Sequence, residues 1–378
     1  MAPLDGISVL DLSRVLAGPF CTMLLADLGA RVIKVEHPRG GDVTRGWGPP
    51  YERTSGLSAY FLSVNRNKES IALDLSTPQG ALSVRLLARR ADVLVENFPP
   101  GGLEKFGLSL AALRRENPRL VTASITGFGL AGPDASAPGF DLLAQAGAGL
   151  MAITGAPEGE PTKVGVAASD LFAGFFAAVG IAAALAGRER TGTGTHVETD
   201  LFSATLACLI NVAQSALVTG AEGKRHGGGH PQIVPYRVFS AADADFALAV
   251  GTDPQFERLA ALLARPEWAR DPLYRSNDVR VVNRARLEAE LEEAFRREPR
   301  DAWLSRLRGA GIPAGPVRGP LEALSSETAQ ALGAVVACAG VRFVASAIRV
   351  EGHTPRLDFP PALDADGEKL RREFALLP

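Results

Sequence analysis

One aspartate stands at the start of the longest apolar run in the chain. Asp170 comes directly before residues 171–187, a run rich in Ala, Gly and Phe. Two interpretations of this local pattern are open. Asp is a preferred helix cap, because its oxygens accept hydrogen bonds from free backbone N–H groups and its charge suits the positive end of the helix dipole. A carboxylate held in a partly dry site is, alternatively, a nucleophile toward an acyl group.

Two other stretches combine cations, planar groups and glycines directly after predicted strands. Cations bind phosphates and flat rings stack on bases, so this combination suits a phosphate-bearing ligand with an aromatic base. Ordinary solvated loops have the same composition, and that alternative stays open. The residues concerned are His37, Arg39, Arg45 and Trp47 in "VEHPRGGDVTRGW", and Asn97, Phe98 and Lys105 in "VENFPPGGLEKFG".

The stretch "HGGGHP" places Gly227, Gly228 and Gly229 between His226 and His230. Consecutive glycines indicate backbone that approaches a ligand closely or moves, and free N–H groups there suit an oxyanion. A flexible connector between domains is the alternative. The two histidines are not on a helix and lack further ligands, so we predict no metal site.

The elements that must position these residues alternate as in a doubly wound α/β sheet. The predicted strands are "ISVLDLS", "RVIKVEH", "SIALDLS", "DVLVENF" and "RLVTASITGFG", with helices between them. In such sheets ligands bind at the carboxyl ends of the strands. A short helix is predicted over residues 140–151, followed by the Asp170 helix and then by "THVETDLFSATLACLINVAQSAL", a strand leading into a helix.

The rest of the chain indicates a second, smaller α+β domain. We predict a large domain over residues 1–225, a long loop over 220–239, and a small domain with its linkers over 226–329. Short strands ("VVACAG", "VRFV", "SAIRVEG") and a Pro-rich tail, residues 330–378, are expected to pack back on the large domain.

Composition limits the classes of function. The chain has 378 residues, 46% of them hydrophobic, and a net charge of −2, which gives no electrostatic case for nucleic acid or an anionic membrane. The start shows no signal-peptide pattern, and three widely spaced cysteines suit reduced thiols, so a cytoplasmic protein is expected. The apolar run is interpreted as a core helix rather than a membrane span. Neither G-x-G-x-x-G nor a P-loop is present, so NAD, FAD and ATP are unsupported.

These pieces together resemble the class III CoA-transferases, the group that contains formyl-CoA transferase. The resemblance lies in "LDGISVLDLSRVLAGPFCTMLLADLGARVIKVEHPRGGDVTRGW", "FDLLAQAGAGLMAITG", "DLFAGFFAAVGIAAALAGRERTGTG" and "PYRVF", and it covers nearly the whole chain in order. It implies that Asp170 attacks an acyl-CoA thioester, forming an aspartyl anhydride and then an aspartyl-CoA thioester. The helix start is expected to keep this acid ionised.

The resemblance also implies the other roles in the site. Gly227, Gly228 and Gly229 would form a mobile loop that shields the intermediates. CoA, a substrate rather than a permanently bound cofactor, would lie against Leu16, Ala17, His37, Asn97, Phe98 and Lys105. The acyl pocket would include Trp47, Phe140 and His230, and the chain would form an interlocked homodimer.

Two positions depart from formyl-CoA transferase. Leu16 replaces its active-site Gln and Phe140 its Tyr, which removes polar contacts to a one-carbon acyl group. We therefore expect a larger acid, such as a C4 or C5 dicarboxylate, with succinyl-CoA as donor. The alternatives are an α-methylacyl-CoA racemase, whose proton-transferring His would fall at Phe140, and a non-catalytic acyl-CoA-binding protein.

Overall fold

The computed structural model describes residues 1–376. Its strands are β1 (Ser8–Asp11), β2 (Arg31–Glu36), β3 (Lys68–Ala72), β4 (Val93–Glu96), β5 (Val121–Thr126), β6 (His196–Asp200), β7 (Tyr236–Ser240), β8 (Asp245–Ala249), β9 (Ala314–Pro316), β10 (Val335–Cys338) and β11 (Val341–Val344). Its α-helices are α1 (Ala17–Asp27), α2 (Ala59–Val64), α3 (Pro78–Ala88), α4 (Leu110–Glu116), α5 (Asp141–Gly147), α6 (Leu150–Ile153), α7 (Ala168–Thr191), α8 (Leu201–Cys208), α9 (Ile210–Thr219), α10 (Asp253–Leu262), α11 (Asn277–Val282), α12 (Arg284–Phe295), α13 (Arg300–Gly309), α14 (Pro320–Ser325), α15 (Glu327–Ala331) and α16 (Gly367–Glu373).

A six-stranded parallel sheet organises the first of two compact units, which comprises Met1–Leu150, Lys163–Ala221 and the chain from Thr328 onward. Its strand order is β3-β2-β1-β4-β5-β6, and every adjacent pair runs parallel. The chain winds outward in both directions from β1 and β4, so the carboxyl ends of these two strands form the crevice where such sheets bind ligands. The predicted α/β fold with a parallel sheet is confirmed.

Apolar side chains cover both faces of this sheet, as buried parallel strands require. On one face, α1 and α7 pack against β1, β4 and β5 through residues such as Leu25, Ile181 and Ile125. On the other face, α3 and α4 pack through Leu87 and Leu113, joined by the C-terminal helix α16. The sheet is therefore covered on both sides, and only its strand ends are open for chemistry.

The apolar run forms α7, which packs one face into the fold and exposes the other. Ala173, Ala177 and Ile181 are fully buried, spaced one turn apart, whereas Phe175 and Phe176 are nearly half exposed. By length and composition alone α7 is also long and apolar enough to cross a membrane, and the bent pair α8–α9 passes the same test. The prediction of a core helix holds for the face that contacts the sheet.

The second unit comprises Met151–Thr162 and Glu222–Glu327. Its antiparallel sheet has the order β7-β8-β9. Helices α10, α12 and α13 pack around an aromatic core in which Phe239, Phe246, Phe295 and Trp303 stack edge to face or at a tilt. Residues 151–162, which the sequence placed in the large domain, cluster with this unit. Their backbone carbonyls accept hydrogen bonds from the Arg225 guanidinium and from the Gly227 N–H.

Several local predictions were wrong. "SAIRVEG" is not a strand, because β10 and β11 pair only with each other within residues 1–376 and offer no further edge. The predicted loop over 220–239 ends in β7, and the predicted helix over 140–151 is divided into α5 and α6. The Pro-rich segment contains no helix or strand between β11 and residue 366 and clusters with the first unit, as expected; the short helix α16, which was not predicted, follows it.

Candidate active site

Asp170 is the third residue of α7 and does not cap it. The N-cap position is Ala167, whose side chain makes no capping hydrogen bond. The capping interpretation of Asp170 is therefore wrong in its geometry, although the residue does lie in the first turn, where the helix dipole favours an anion.

The acid that satisfies the start of α7 comes from a different helix. Asp141, the first residue of α5, accepts a hydrogen bond from the backbone N–H of Ser169 at 2.9 Å through Oδ1. Its Oδ2 accepts from Gln145 Nε2 at 2.8 Å, and Lys163 Nζ lies 3.7 Å away. Sequence reasoning missed Asp141 and Lys163. An Asp directly before the apolar residues "LLA" is a capping signal that the sequence did contain, but it does not say which helix is capped.

Burial raises the pKa of Asp170 to about 7, and the nearby Asp141 carboxylate adds to this effect. The backbone N–H of Ala17 and the Lys163 ammonium act in the opposite direction. The expectation that the helix start keeps this acid ionised is thus corrected, because the loss of water and a neighbouring negative charge outweigh the dipole. The carboxyl group is poorly solvated and changes charge close to neutral pH.

A glycine brings Asp170 beside the start of α1. Gly174 follows Asp170 by one turn, and a Cβ at this position would lie 2.7 Å from the carbonyl oxygen of Ala17. Ala17 is the first residue of α1, so its N–H has no partner within that helix and faces Asp170. Leu16, one residue earlier, is buried against Met23 and Val64. Two of the predicted CoA-binding residues, Leu16 and Ala17, therefore lie directly beside the candidate nucleophile.

Aromatic side chains lie on the open side of Asp170. The ring of Trp47, 46% exposed, stands edge-on to Tyr60 at 5.2 Å between centroids. Burial and the carboxylates of Asp170, Asp141 and Asp42 raise the pKa of Tyr60 to about 12, which places this phenol near the candidate nucleophile. Tyr60 was missed by sequence reasoning, because its short helix α2 carries no motif. Phe140, 63% exposed, directly precedes Asp141.

A cleft of about 330 Å³ opens at the carboxyl ends of β1, β2, β3 and β4. The guanidinium of Arg14 lies 4.7 Å from the centre of the Phe98 ring, and Phe106 stands edge-on to that ring at 6.1 Å. A flat ring and a cation at one position can stack on a base and bind a phosphate. The cleft is lined by Leu12, Arg14, Lys34, Val35, Glu36, His37, Arg39, Gly41, Asp42, Leu73, Asp74, Leu75, Ser76, Phe98 and Phe106.

The predicted CoA-binding residues do not all line this cleft. His37 and Phe98 do. The amide of Asn97 instead bonds both the N–H and the carbonyl of Arg14, at 2.8 and 2.7 Å, so it holds the β1–α1 connection in place. Lys105 is an exposed residue of a short 3-10 helix and is not among the lining residues.

The glycine stretch belongs to the second unit, where hydrogen bonds hold it. Gly227, with φ of +59°, donates its N–H to the carbonyl of Gly155 at 3.0 Å. His230 donates its backbone N–H to Tyr236, and Arg284 binds the His230 carbonyl at 2.8 Å. Burial and the Arg284 charge lower the pKa of His230. The roles of Gly228, Gly229 and His230 in catalysis stay predictions.

Comparison with known proteins identifies the family to which the chain belongs. The family model described as "CoA-transferase family III" matches residues 4–367. The chain is 46% identical to the succinyl-CoA:glutarate CoA-transferase of Mus musculus over 84% of this chain and 72% of the relative. It is 41% identical to the acetyl-CoA:oxalate CoA-transferase of Acetobacter aceti over 99% and 96%. The crystal structure of a CAIB/BAIF family protein from Brucella suis superposes with a TM-score of 0.89 at 42% identity, covering 99% of each chain. The chain belongs to CoA-transferase family III and is a CoA-transferase.

Proposed function

We propose that Asp170 carries the acyl group during transfer of CoA from an acyl-CoA to a carboxylic acid. The observation that carries this proposal is the environment of its carboxyl group, which lies half-buried at the starts of two helices and has its pKa raised to about 7. A carboxylate is a weak nucleophile in water, and removing its water raises its reactivity.

The reaction proceeds by exchange between thioester and anhydride. An Asp170 oxygen attacks the thioester carbonyl carbon, the C–S bond breaks, and an acyl-aspartyl anhydride and CoA thiolate form. The thiolate then attacks the aspartyl carbonyl, releasing the donor acid and leaving an aspartyl-CoA thioester. The acceptor carboxylate displaces CoA to form a second anhydride. Attack of the thiolate on the acceptor's acyl carbonyl gives the new acyl-CoA and restores Asp170. No oxidant and no net proton are required.

The cleft at the strand ends is the proposed site for the nucleotide part of CoA. Arg14 and His37 offer charge, and the Phe98 ring offers a stacking surface. Arg14 lines the cleft and Ala17 faces Asp170, so at most about 10 Å of backbone separates the two places. The pantetheine arm would follow this connection toward the carboxylate. Asn97 supports the β1–α1 connection through its hydrogen bonds to Arg14. We do not propose that it contacts CoA directly.

For the acids, we propose succinyl-CoA as donor and a C4 or C5 dicarboxylic acid as acceptor. The mouse relative is named for succinyl-CoA and glutarate, and the Acetobacter aceti relative for acetyl-CoA and oxalate. Leu16 is buried beside Ala17, and Phe140 directly precedes Asp141. Apolar residues at these two positions favour an acid with methylene groups over a one- or two-carbon acid. Mass analysis of products from succinyl-CoA and acetyl-CoA with a panel of mono- and dicarboxylic acids distinguishes these choices.

An interlocked homodimer and a shielding glycine loop complete the proposal. The exposed apolar residues of α7 and α9, among them Val179, Ile210 and Leu217, support a second copy as the covering partner. Sedimentation velocity of the full chain tests the dimer, and a monomer at micromolar concentration would contradict it.

Chemical trapping tests the role of Asp170 directly. The protein is mixed with succinyl-CoA, treated with hydroxylamine and digested, and the peptides are analysed by mass spectrometry. A hydroxamate at Asp170 is expected, and Asp141, the neighbouring carboxylate, serves as the unmodified internal control. An Asp170→Ala protein that keeps full transferase activity would overturn the proposal.

A further inference from the structure

The connection between β1 and α1 contains a residue in an unfavourable backbone conformation. Val15 has φ of +72°, in the left-handed region. This region is an outlier for a β-branched residue, because Cβ crowds the backbone. Such a conformation persists only where surrounding groups impose it, and it is often found beside functional sites. Val15 stands two residues before Ala17, whose N–H faces Asp170.

One buried ion pair bonds the backbone on each side of Arg14, the residue directly before Val15. The Asp42 carboxylate accepts the backbone N–H of Val15, with its two oxygens at 3.4 and 3.2 Å. Lys34 Nζ lies 3.0 Å from the same carboxylate and donates to the carbonyl of Ser13 at 2.9 Å. Both side chains are fully buried. The pair therefore bonds the backbone on each side of Arg14, while Asn97 bonds Arg14 itself.

A contribution to stability alone does not account for this arrangement. Removing two charges from water is costly, and a buried pair is commonly no more stabilising than apolar side chains of similar size. What apolar side chains could not supply is a donor for the Ser13 carbonyl and an acceptor for the Val15 N–H. The ion pair fixes the direction of the two peptide groups that flank Arg14, directly before Val15.

We propose that the buried Lys34–Asp42 pair is a positioning device for Asp170, which holds Val15 in its left-handed conformation so that the Ala17 N–H points at the Asp170 carboxylate. This inference rests on the proposed role of Asp170. Neither Lys34 nor Asp42 touches the reacting atoms in this scheme, so both are positioning residues. Their effect reaches Asp170 through the backbone of residues 13–17.

The sign of a pKa change separates positioning from direct electrostatics. Asp170 is faced by Asp141 from α5, by Lys163, by Tyr60 from α2 and by the Ala17 amide from α1. In Asp42→Leu the acceptor for the Val15 N–H and a negative charge are both lost, while Lys34 keeps Asp11 and Glu36 as opposite charges. The loss of the negative charge would lower the pKa of Asp170 if it acted directly. Loss of the Ala17 hydrogen bond would raise it, because that bond favours the charged form.

The experiment measures the protonation of Asp170 in the resting protein. Infrared difference spectra, wild type minus Asp170→Asn, follow its carboxyl C=O band against pH, and the same subtraction is made in the Asp42→Leu background. We expect the pKa to rise by about one unit, which is a tenfold change in the ionisation equilibrium. Adding Val15→Gly should reverse at least half of this rise in pKa, because glycine adopts the left-handed conformation without help from the Lys34–Asp42 pair.

The matched control is Asp27→Leu at the other end of α1. Asp27 is also a buried carboxylate, bound by Arg66 at 2.9 and 2.5 Å and by Asn67 at 2.8 Å. We expect this variant to lose stability while the Asp170 band titrates as in wild type. A fall or no change of the pKa in Asp42→Leu, or no recovery on adding Val15→Gly, would overturn the inference. The infrared measurement needs no turnover. It therefore tests the positioning role of the Lys34–Asp42 pair separately from the trapping experiment, which tests Asp170 as the nucleophile.

Discussion

Gly174 on α7 and Ala17 on α1 lie so close that the glycine has no room for a side chain. A Cβ at Gly174 would stand 2.7 Å from the Ala17 carbonyl oxygen and 3.0 Å from the ring of Phe20. This contact fixes the distance between the helix that carries Asp170 and the helix whose first N–H faces it. The geometry of the site thus depends on a residue that does no chemistry.

Replacement of this glycine should disturb catalysis through helix spacing. In Gly174→Ala the backbone of α1 cannot move aside without displacing the Ala17 amide, and a shift of about 1 Å at a reacting group costs up to a hundredfold in rate. We expect kcat with succinyl-CoA to fall at least tenfold. Gly187→Ala is the matched control, since its Cβ would meet nothing within 4 Å on the same helix. Equal kcat values for the two variants would contradict the spacing argument.

Asp141 should set the pH range of activity. If the reactive form of Asp170 is the carboxylate, kcat/KM falls tenfold per unit below its pKa of about 7. Asp141→Asn keeps an acceptor for the Ser169 N–H and removes the negative charge that raises the pKa of Asp170. We therefore expect the acidic limb of kcat/KM to move to lower pH, by about one unit. A limb that stays in place or moves to higher pH would argue against this coupling.

The same raised pKa predicts that the carboxyl group of Asp170 destabilises the fold. Unfolding lowers its pKa from about 7 to the ordinary value of 3.8. Between these values the folded protein holds a proton that the unfolded chain has lost, so stability falls as pH rises through this window and the cost is complete above it. The full cost is at most about 4 kcal/mol. Asp170→Asn should raise Tm at pH 8 and leave it nearly unchanged at pH 4, in scanning calorimetry of both proteins. A lower Tm at pH 8 would be inconsistent with the buried, repelled carboxylate.

Phe98 should contribute to CoA binding rather than to the chemical step. Its ring faces the cleft beside Arg14, and stacking of a base on an aromatic ring is worth about 1–3 kcal/mol. We expect Phe98→Ala to raise KM for acyl-CoA about tenfold while kcat changes less than twofold. Phe374→Ala is the control, because that ring is flanked by two arginines at 5.9 and 5.4 Å yet does not line the cleft. A larger effect on kcat than on KM would place Phe98 in the chemical step instead.

Racemisation should be absent. A racemase exchanges the α-proton of its substrate through an acid and a base, and Phe140, at the position of the proton-transferring histidine in that related class, cannot accept a proton. Incubation with a chiral 2-methylacyl-CoA in D₂O, followed by mass analysis, should show no deuterium at the α-carbon. Uptake of deuterium would mean that another base near Asp170 performs the exchange.

The sequence predicted the parts of the fold that depend on local patterns. Alternation of Val- and Ile-rich strands with amphipathic helices was enough for the parallel sheet, and Asp170 stood out because it begins the longest apolar run. The partners of Asp170 were not predictable in the same way. Asp141 and Tyr60 reach it from other helices, and nothing in their own neighbourhoods states which helix they will face. Asn97 was expected in the ligand crevice, but its amide is used by the Arg14 backbone.

The short strands also show that local sequence patterns do not predict contacts with distant segments. Ala314–Pro316 contains Gly and Pro and forms a strand only because β8 offers it an edge. "SAIRVEG" has the composition of a strand but no such edge among residues 1–376. In both segments, the presence or absence of a partner strand, and not the composition, determined whether a strand formed.

The proposed acyl pocket at Trp47 and Phe140 is more exposed than the helix contact beside Asp170. Trp47 is 46% exposed and Phe140 63%, whereas Gly174 leaves no room for change between α7 and α1. A library randomised at positions 47 and 140 alone should therefore yield folded catalysts with altered preferences among acids. The chain is in this respect a practical starting point for laboratory evolution toward new thioesters.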